Sequence, residues 1–183
     1  YRELSFPEIK QLLQSKIHEE RLIALLTLVE NFKKAKKNRL EQRKIVEFYL
    51  SNTNSINNWD LVDLSADKIV GEFLFNDDKS ILKQLAKSKN IWERRISILS
   101  TFAFIKRNKF GETLALSEML INDEHDLMHK AVGWMLREIG KRDQNVLELF
   151  LKPRYKSMHR TMLRYAIEKF PEEKRLKYLR GEI

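Results

Sequence analysis

The sequence contains no cysteine, five glycines and three prolines among 183 residues. The lack of cysteine excludes disulfide bonds and thiolate metal sites and fits a reducing cytoplasm. The scarcity of glycine and proline leaves few helix breaks, and the abundant Leu, Lys, Glu, Ile and Arg favour helix. No apolar run approaches the ~20 residues that cross a bilayer, so we expect no membrane partner.

Positive charge is in excess. The chain has 35 Lys and Arg against 26 Asp and Glu, which gives a formal net charge of +9 and a pI near 9.6. Because cations that neutralise phosphates supply much of the affinity for nucleic acids, this surplus points to a polyanionic partner. From charge alone, the alternative that this is a basic protein that binds no nucleic acid stays open.

The apolar residues recur with the period of α-helices, and no segment alternates long enough to predict a sheet. Similar longer helices repeat about every 35 residues, as in stacked helical hairpins. We therefore predict an all-α fold, an α-solenoid of HEAT-like helical hairpin repeats with a basic concave face. The predicted helices span residues 6–15, 18–36, 40–51, 57–75, 79–88, 91–106, 112–121, 124–141, 144–151, 157–170 and 172–179.

The predicted helix 57–75 carries a tryptophan and a carboxylate one turn apart, Trp59 and Asp63. Both lie at the edge of its core stripe, where a carboxylate is partly desolvated and suits the stabilisation of a developing cation. The alternative is that Trp59 packs while Asp63 caps the helix or pairs with a lysine. Asp60, in the first turn, is interpreted as structural. The core stripe comprises Val62, Ala66, Ile69 and Phe73.

A second helix presents one aromatic among cations. Lys130, Trp134, Arg137 and Lys141 follow the spacing of a single helix face, away from the apolar stripe. A large exposed aromatic between cations is costly unless something flat and anionic covers it. This face is therefore a candidate DNA surface.

Arg95 occupies a position that the periodicity reserves for an apolar residue. Either its guanidinium reaches outward to solvent, or it binds a carboxylate or a phosphate. Trp92 opens the same helix, and we expect it to pack. Arg160 and Arg164 form a further basic pair, for which a solvated face and a DNA contact are both open.

At these residues the chain resembles the AlkD family of DNA alkylation-repair glycosylases. The matching segments are NWDLVD (58–63), NIWERR (90–95) and KAVGWMLRE (130–138), and the resemblance covers the chain from His18 onward. It implies that Trp59, Asp63 and Trp134 form the cleft against the lesion nucleotide, while Arg95 and Arg137 grip the DNA backbone. The N-terminal helices usual in that family look incomplete here, and with them an aromatic of the lesion site.

The family excises cationic N-alkylated purines of the 3-methyladenine and 7-methylguanine types, leaving the lesion stacked in the duplex. Such a base departs as a neutral molecule without a general acid, so Asp63 has only to stabilise the oxocarbenium-like sugar and to orient a water. Trp59 and Trp134 can bracket the deoxyribose. No lysine stands within the motif as an imine-forming nucleophile, so we predict hydrolysis without strand cleavage.

From these features we expect one domain over residues 1–183, without cofactor or metal, acting as a monomer on double-stranded DNA that contains alkylated bases. His125 and His129 have a spacing that could bind zinc, but a third ligand is lacking. We expect a bacterial cytoplasmic location, at the nucleoid when bound to DNA. The alternatives are a non-catalytic solenoid that binds bent or branched DNA and a protein-interaction scaffold anchored by Trp134.

Overall fold

The chain forms helices along most of its length in the computed structural model, which describes residues 4–183, and no strand occurs among those residues. A π-helical turn, Asp67–Gly71, lies between α4 and α5, and short 3₁₀ turns follow α2 and α3. The α-helices are α1 (Phe6–Leu13), α2 (His18–Lys34), α3 (Arg39–Ser51), α4 (Trp59–Asp63), α5 (Glu72–Leu74), α6 (Ser80–Ala86), α7 (Ile91–Ser100), α8 (Phe102–Ile105), α9 (Gly111–Leu120), α10 (Asp126–Gly140), α11 (Gln144–Leu151), α12 (Arg160–Ala166) and α13 (Glu172–Arg180).

The helices stack as repeated hairpins, as predicted. One row consists of α4, α7, α10 and α12, in which each helix packs against the next. Helix α6 packs against α7, and both α9 and α11 pack against α10, so that the row is backed by a second set of helices. The fold is therefore an all-helical α-solenoid of helical repeats.

A continuous core fills the space between the two sets of helices. The stripe predicted for 57–75 is confirmed, because its four apolar members are at most 6% exposed. Helices α10 and α12 of the row approach each other closely at Gly133. A Cβ atom placed there would lie 2.5 Å from the Cβ atom of Tyr165 and 2.6 Å from the carbonyl oxygen of Met162, so only glycine fits without a shift of α12.

The prediction of one helix over 57–75 is wrong. Helix α4 ends at Asp63, and a turn and the π-helical segment follow before α5. The Ser65 hydroxyl donates a hydrogen bond to the carbonyl oxygen of Leu61 at 2.5 Å, and the hydroxyls of Tyr49 and Ser65 lie 2.9 Å apart. Bonds of this kind from a serine to the preceding turn compete with regular helix, and π turns are common at functional sites.

The predicted helix 91–106 is also divided, into α7 and α8. The Thr101 hydroxyl donates a hydrogen bond to the carbonyl oxygen of Ile98 at 2.7 Å at the break. The helix predicted over 157–170 is shorter in the structure, where α12 spans Arg160–Ala166. Helix α11 begins and ends at the predicted residues. Periodicity marks the buried face of a helix but not the residue at which its hydrogen bonds stop.

Three helices of the row begin at side-chain caps. The Oδ1 atoms of Asn58 and Asn90 accept hydrogen bonds from the backbone N–H groups of Trp59 and Trp92, at 2.7 and 2.9 Å. His125 accepts one from the N–H of Leu127 through Nδ1 at 3.2 Å. These bonds satisfy N–H groups that a helix leaves free at its start, and they fix where α4, α7 and α10 begin.

None of the helices within residues 4–183 has the length and apolar character needed to cross a membrane.

Candidate functional site

An open cleft of about 380 Å³ lies on the row formed by α4, α7, α10 and α12. Each of these helices contributes at least one side chain, so the cleft depends on the stacking of the repeats and not on any one segment. It combines aromatic, cationic and acidic groups. Its lining consists of Trp59, Asp63, Arg95, Leu127, Lys130, Trp134, Arg137 and Tyr165.

Asp63 and Arg95 form a bidentate ion pair in this cleft. The Nε atom of Arg95 donates to Oδ1 of Asp63 and its Nη2 atom donates to Oδ2, each at 2.9 Å, while Nη1 donates to the Leu127 carbonyl at 2.7 Å. The Arg95 side chain is 6% exposed and that of Asp63 is 14% exposed. Of the two possibilities left open by the sequence, Arg95 binds a carboxylate and does not extend into solvent.

Burial raises the pKa of the Asp63 carboxyl above its ordinary value. Desolvation is the main cause, and the hydrogen bonds and the positive charge of Arg95 oppose it. The neighbouring carboxylates Asp60 and Asp67 add a smaller upward contribution. Arg95 thus favours the ionised form of a carboxylate that its surroundings would otherwise tend to protonate.

The two tryptophans of the predicted cleft differ in exposure. Trp59 is 53% exposed at the first residue of α4, whereas Trp134 is half-buried and its ring centroid lies 6.1 Å from that of Phe102. Trp134 is thus supported from behind by the core and still lines the cleft. Trp92, expected to pack, is half-buried against the core and lies outside the cleft lining.

Three predicted DNA-binding cations line the cleft and are held by carboxylates: Arg95, whose partner is Asp63, and Lys130 and Arg137. Lys130 lies 2.7 Å from Asp126, and this hydrogen bond raises the pKa of the lysine. Arg137 pairs with Glu168 through Nη1, and its Nε atom is buried without a hydrogen-bond partner among the described residues. Lys130 and Arg137 both line the cleft together with the two tryptophans.

The remaining predicted DNA-binding residues lie outside the cleft lining. Lys141 pairs with Glu138 at 2.5 Å, and Arg160 donates a hydrogen bond to the Leu179 carbonyl at 2.6 Å. Arg164 is exposed on α12. Lys141 directly follows α10 and Arg160 is the first residue of α12, and the contact of these residues with DNA stays a prediction.

Two functional candidates escaped the sequence reasoning, Tyr165 in the cleft and Glu168 on Arg137. Both come from the region of α12 and meet residues of α10 that lie about one repeat earlier in the chain. Gly133 was the available signal, because a glycine inside a well-formed helix indicates close approach of another element. A glycine within a helix does not, however, identify which residue of the other element lies against it.

The histidines of α10 have structural partners. His125 caps the helix, and His129 is 6% exposed and donates from Nε2 to the Asp123 carbonyl at 2.5 Å. In the described part of the chain, no three His, Asp or Glu side chains gather in a way that could hold a metal. Asp60, interpreted as structural, lies 2.7 Å from Nε2 of His18 and so joins α4 to α2.

The ion pair of the cleft, its two tryptophans and the cations Lys130 and Arg137 come from the segments on which the resemblance was stated. The sequence profile of the family described as DNA alkylation repair enzyme matches residues 1–170. The chain belongs to this family. The resemblance drawn from the sequence is confirmed, and the match covers nearly all of the 183 residues.

Membership indicates DNA alkylation repair as the field of activity and DNA as the partner. No curated protein and no solved structure matches the chain. The roles of the individual cleft residues therefore rest on their geometry and chemistry.

Proposed function

We propose that this protein is a DNA glycosylase that hydrolyses the N-glycosidic bond of cationic alkylated purines, of the 3-methyladenine and 7-methylguanine types, in duplex DNA. The observation that carries the proposal is a partly desolvated carboxylate, Asp63, that lines one open cleft together with Trp59, Trp134, Lys130 and Arg137. Membership in a DNA alkylation repair family supports it.

The chemistry needs little beyond electrostatic stabilisation. A purine alkylated at N3 or N7 is already positive, so cleavage of the C1′–N bond returns the bonding electrons to the base, which departs neutral. Positive charge then develops on the deoxyribose, where the negative charge of Asp63 stabilises it. Water adds its oxygen to C1′ and gives up a proton, for which Asp63 is the nearest base in the cleft. The products are the free alkylated base and an abasic site.

The tryptophans assist by excluding water and by presenting their faces to a cationic sugar. Trp59, being more than half exposed, is available to a ligand without rearrangement. Trp134 is supported by Phe102, so its position is fixed before DNA arrives.

Strand cleavage would require a neutral lysine amine. The sequence indicated no lysine within the motif, yet Lys130 lines the cleft. Its hydrogen bond to Asp126 raises the pKa of the ammonium group, which disfavours the free amine that forms an imine. We therefore propose hydrolysis without lyase activity, with Lys130 as a phosphate contact.

The decisive experiment measures release of 7-methylguanine from methylated duplex DNA by the parent chain and by Asp63→Asn. We expect the substitution to reduce the rate by about 100-fold or more, the scale seen when one electrostatic contact to a transition state is lost. Asp60→Asn is the matched control, because Asp60 lies one turn away outside the cleft and should leave the rate unchanged. Undiminished release by Asp63→Asn would refute this mechanism.

The same experiment separates the other interpretations. A non-catalytic binder of bent or branched DNA would bind methylated duplex without releasing base. A protein-interaction scaffold would lack the steep salt dependence of DNA affinity. For the glycosylase we expect base release. We also expect the slope of log binding constant against log salt concentration to fall in magnitude by about one in Lys130→Gln.

We further propose that the protein works as a monomer, without metal or cofactor, in the bacterial cytoplasm and at the nucleoid when bound. Base release by the purified chain in the presence of EDTA tests the metal independence. Loss of release on chelation would contradict it.

A further inference from the structure

The cleft contains an aromatic side chain that neither the motifs nor the repeat pattern identifies, Tyr165 of α12. Its neighbours Met162, Leu163 and Ala166 are at most 2% exposed and form the buried face of that helix. Tyr165 lies at the edge of this face, half-exposed, where it lines the cleft together with Trp134.

The backbone brings Tyr165 there. Helix α12 packs against α10 at Gly133, whose missing side chain lets the Cβ atom of Tyr165 come within 2.5 Å of the position that a Cβ of residue 133 would take. Trp134 is the next residue along α10. The close approach of the two helices therefore places Tyr165 in the lining of the same cleft as Trp134.

The surroundings of Tyr165 are cationic. Lys130 and Arg137 lie on α10 and line the cleft together with Tyr165. Asp63 and Trp59, by contrast, come from α4, across α7 in the row. Tyr165 thus belongs to the side of the cleft where phosphate would be held, and Asp63 to the side where the glycosidic bond would break.

Aromatic rings and basic groups together are what proteins use to hold the sugars, bases and phosphates of nucleic acids. The Tyr165 hydroxyl has no hydrogen bond to any described residue. A partly buried ring that lines the cleft together with Trp134 and two cations is suited to contact a ligand.

We propose that Tyr165 is a third aromatic contact for the nucleotide seated in the cleft, made by its ring at the sugar–phosphate. This rests on the proposed function in that it assumes a damaged nucleotide in the cleft. Because the contact is with the part of the nucleotide that remains after base release, it strengthens binding of substrate and of abasic product alike. It therefore lowers the half-saturating DNA concentration without accelerating the chemical step.

The test uses the full chain with Tyr165→Phe and Tyr165→Leu. Leucine keeps the Cβ contact with Gly133 but removes the ring, whereas phenylalanine keeps the ring and removes the hydroxyl. The first measurement is the Kd for a duplex containing a tetrahydrofuran abasic-site analogue. We expect Tyr165→Leu to weaken binding about tenfold, the scale of one lost aromatic anchor at an interface, and Tyr165→Phe to stay within about twofold.

The second measurement is single-turnover release of 7-methylguanine over a range of enzyme concentrations. We expect Tyr165→Leu to raise the half-saturating concentration about tenfold while the rate at saturation stays within about twofold. Thermal unfolding of both variants verifies that the α10–α12 contact survives.

Unchanged binding by Tyr165→Leu would overturn the proposal, as would an equal loss in both variants, which would assign the contact to the hydroxyl. A fall in the saturating rate alone would also overturn it. Failure of the parent chain to release base would refute the glycosylase function, while the abasic-duplex affinities would still decide whether Tyr165 touches the nucleic acid.

Discussion

Arg95 holds the Asp63 carboxylate through two parallel hydrogen bonds of 2.9 Å, and the same guanidinium is bonded to the Leu127 carbonyl on the next helix of the row. The pair joins α4 to α7, and the third bond joins α7 to α10. Each Asp63 oxygen accepts one bond from Arg95 and keeps further lone-pair capacity for water or a developing cation. Arg95 is thus a positioning residue for the proposed reaction.

Arg95→Met should raise the pKa of Asp63 further, because it removes the hydrogen bonds and the charge that oppose desolvation. The ionised carboxylate is the active form, so the acidic limb of the pH–rate profile should move to higher pH. Single-turnover base release between acidic and neutral pH measures this. The matched control is Arg94→Met, which breaks the ion pair with Asp123 outside the cleft. It should not shift the acidic limb of the pH–rate profile.

The same substitution has a signed effect on stability. When the pKa of a carboxyl is higher in the folded than in the unfolded state, its contribution to the free energy of unfolding is lost as the pH rises through the folded-state pKa. Arg95→Met should therefore cost least at low pH, where Asp63 is protonated in both states. At neutral pH the cost should reach about 3 kcal/mol, as for a broken buried ion pair. Urea denaturation at several pH values measures this, and a cost independent of pH would contradict it.

Trp59→Leu and Trp92→Leu should have opposite effects. Trp59 is 53% exposed in the cleft, so its loss should change the free energy of unfolding by less than about 0.5 kcal/mol while lowering base release. Trp92 packs against the core outside the cleft, so its loss should reduce stability and leave release per folded molecule unchanged. Thermal unfolding and single-turnover release, measured on both variants, check this contrast.

Glu168→Gln should tighten DNA binding. Glu168 pairs with Arg137, and the pKa of its carboxyl is lowered by Lys169 and by Arg137, so it is ionised at neutral pH and competes with phosphate for that arginine. We expect about threefold higher affinity at low salt, since such partly exposed pairs contribute less than ~1 kcal/mol. Glu173→Gln removes the same charge from an exposed pair with Lys177 and is the control. Equal gains in both variants would show a general charge effect only.

Gly133→Ala should destabilise the protein by about 1–3 kcal/mol, because the new methyl group would meet the Met162 carbonyl and the Cβ atom of Tyr165. Gly111→Ala is the matched control, since a Cβ atom there has no neighbour within 4 Å. Alanine at residue 111 should be neutral or slightly stabilising. Urea denaturation compares the two, and equal stabilities would contradict the close approach of α10 and α12.

The helical architecture could be predicted because its signal is local and repeated. Apolar residues recur with helical period, the longer helices resemble one another, and the four residues of the predicted stripe in the α4–α5 region are buried. The breaks after Asp63 and at Thr101 could not be predicted in the same way. They arise from serine and threonine hydroxyls that bond to the preceding turn, and such bonds compete with regular helix only in their tertiary surroundings.

The site was predictable in part. Arg95 broke the apolar pattern of its helix, which showed that it needs a partner but not that the partner is Asp63, 32 residues earlier in the chain. Glu168 gave no signal, because an exposed carboxylate at the end of a helix looks like any other. Pairings between helices depend on the angle at which the repeats stack, and periodicity within one helix does not contain that angle.

The guanidinium that joins α4, α7 and α10 has a consequence for how a duplex is accommodated. A widening of the cleft would have to break one of the three bonds that Arg95 makes in a poorly solvated place. We therefore expect the stacked repeats to keep their arrangement when DNA binds. The DNA would then have to bend and widen its groove to fit the cleft. The protein would then bind lesions that weaken the local base stacking more tightly than lesions of equal charge in DNA that is harder to deform.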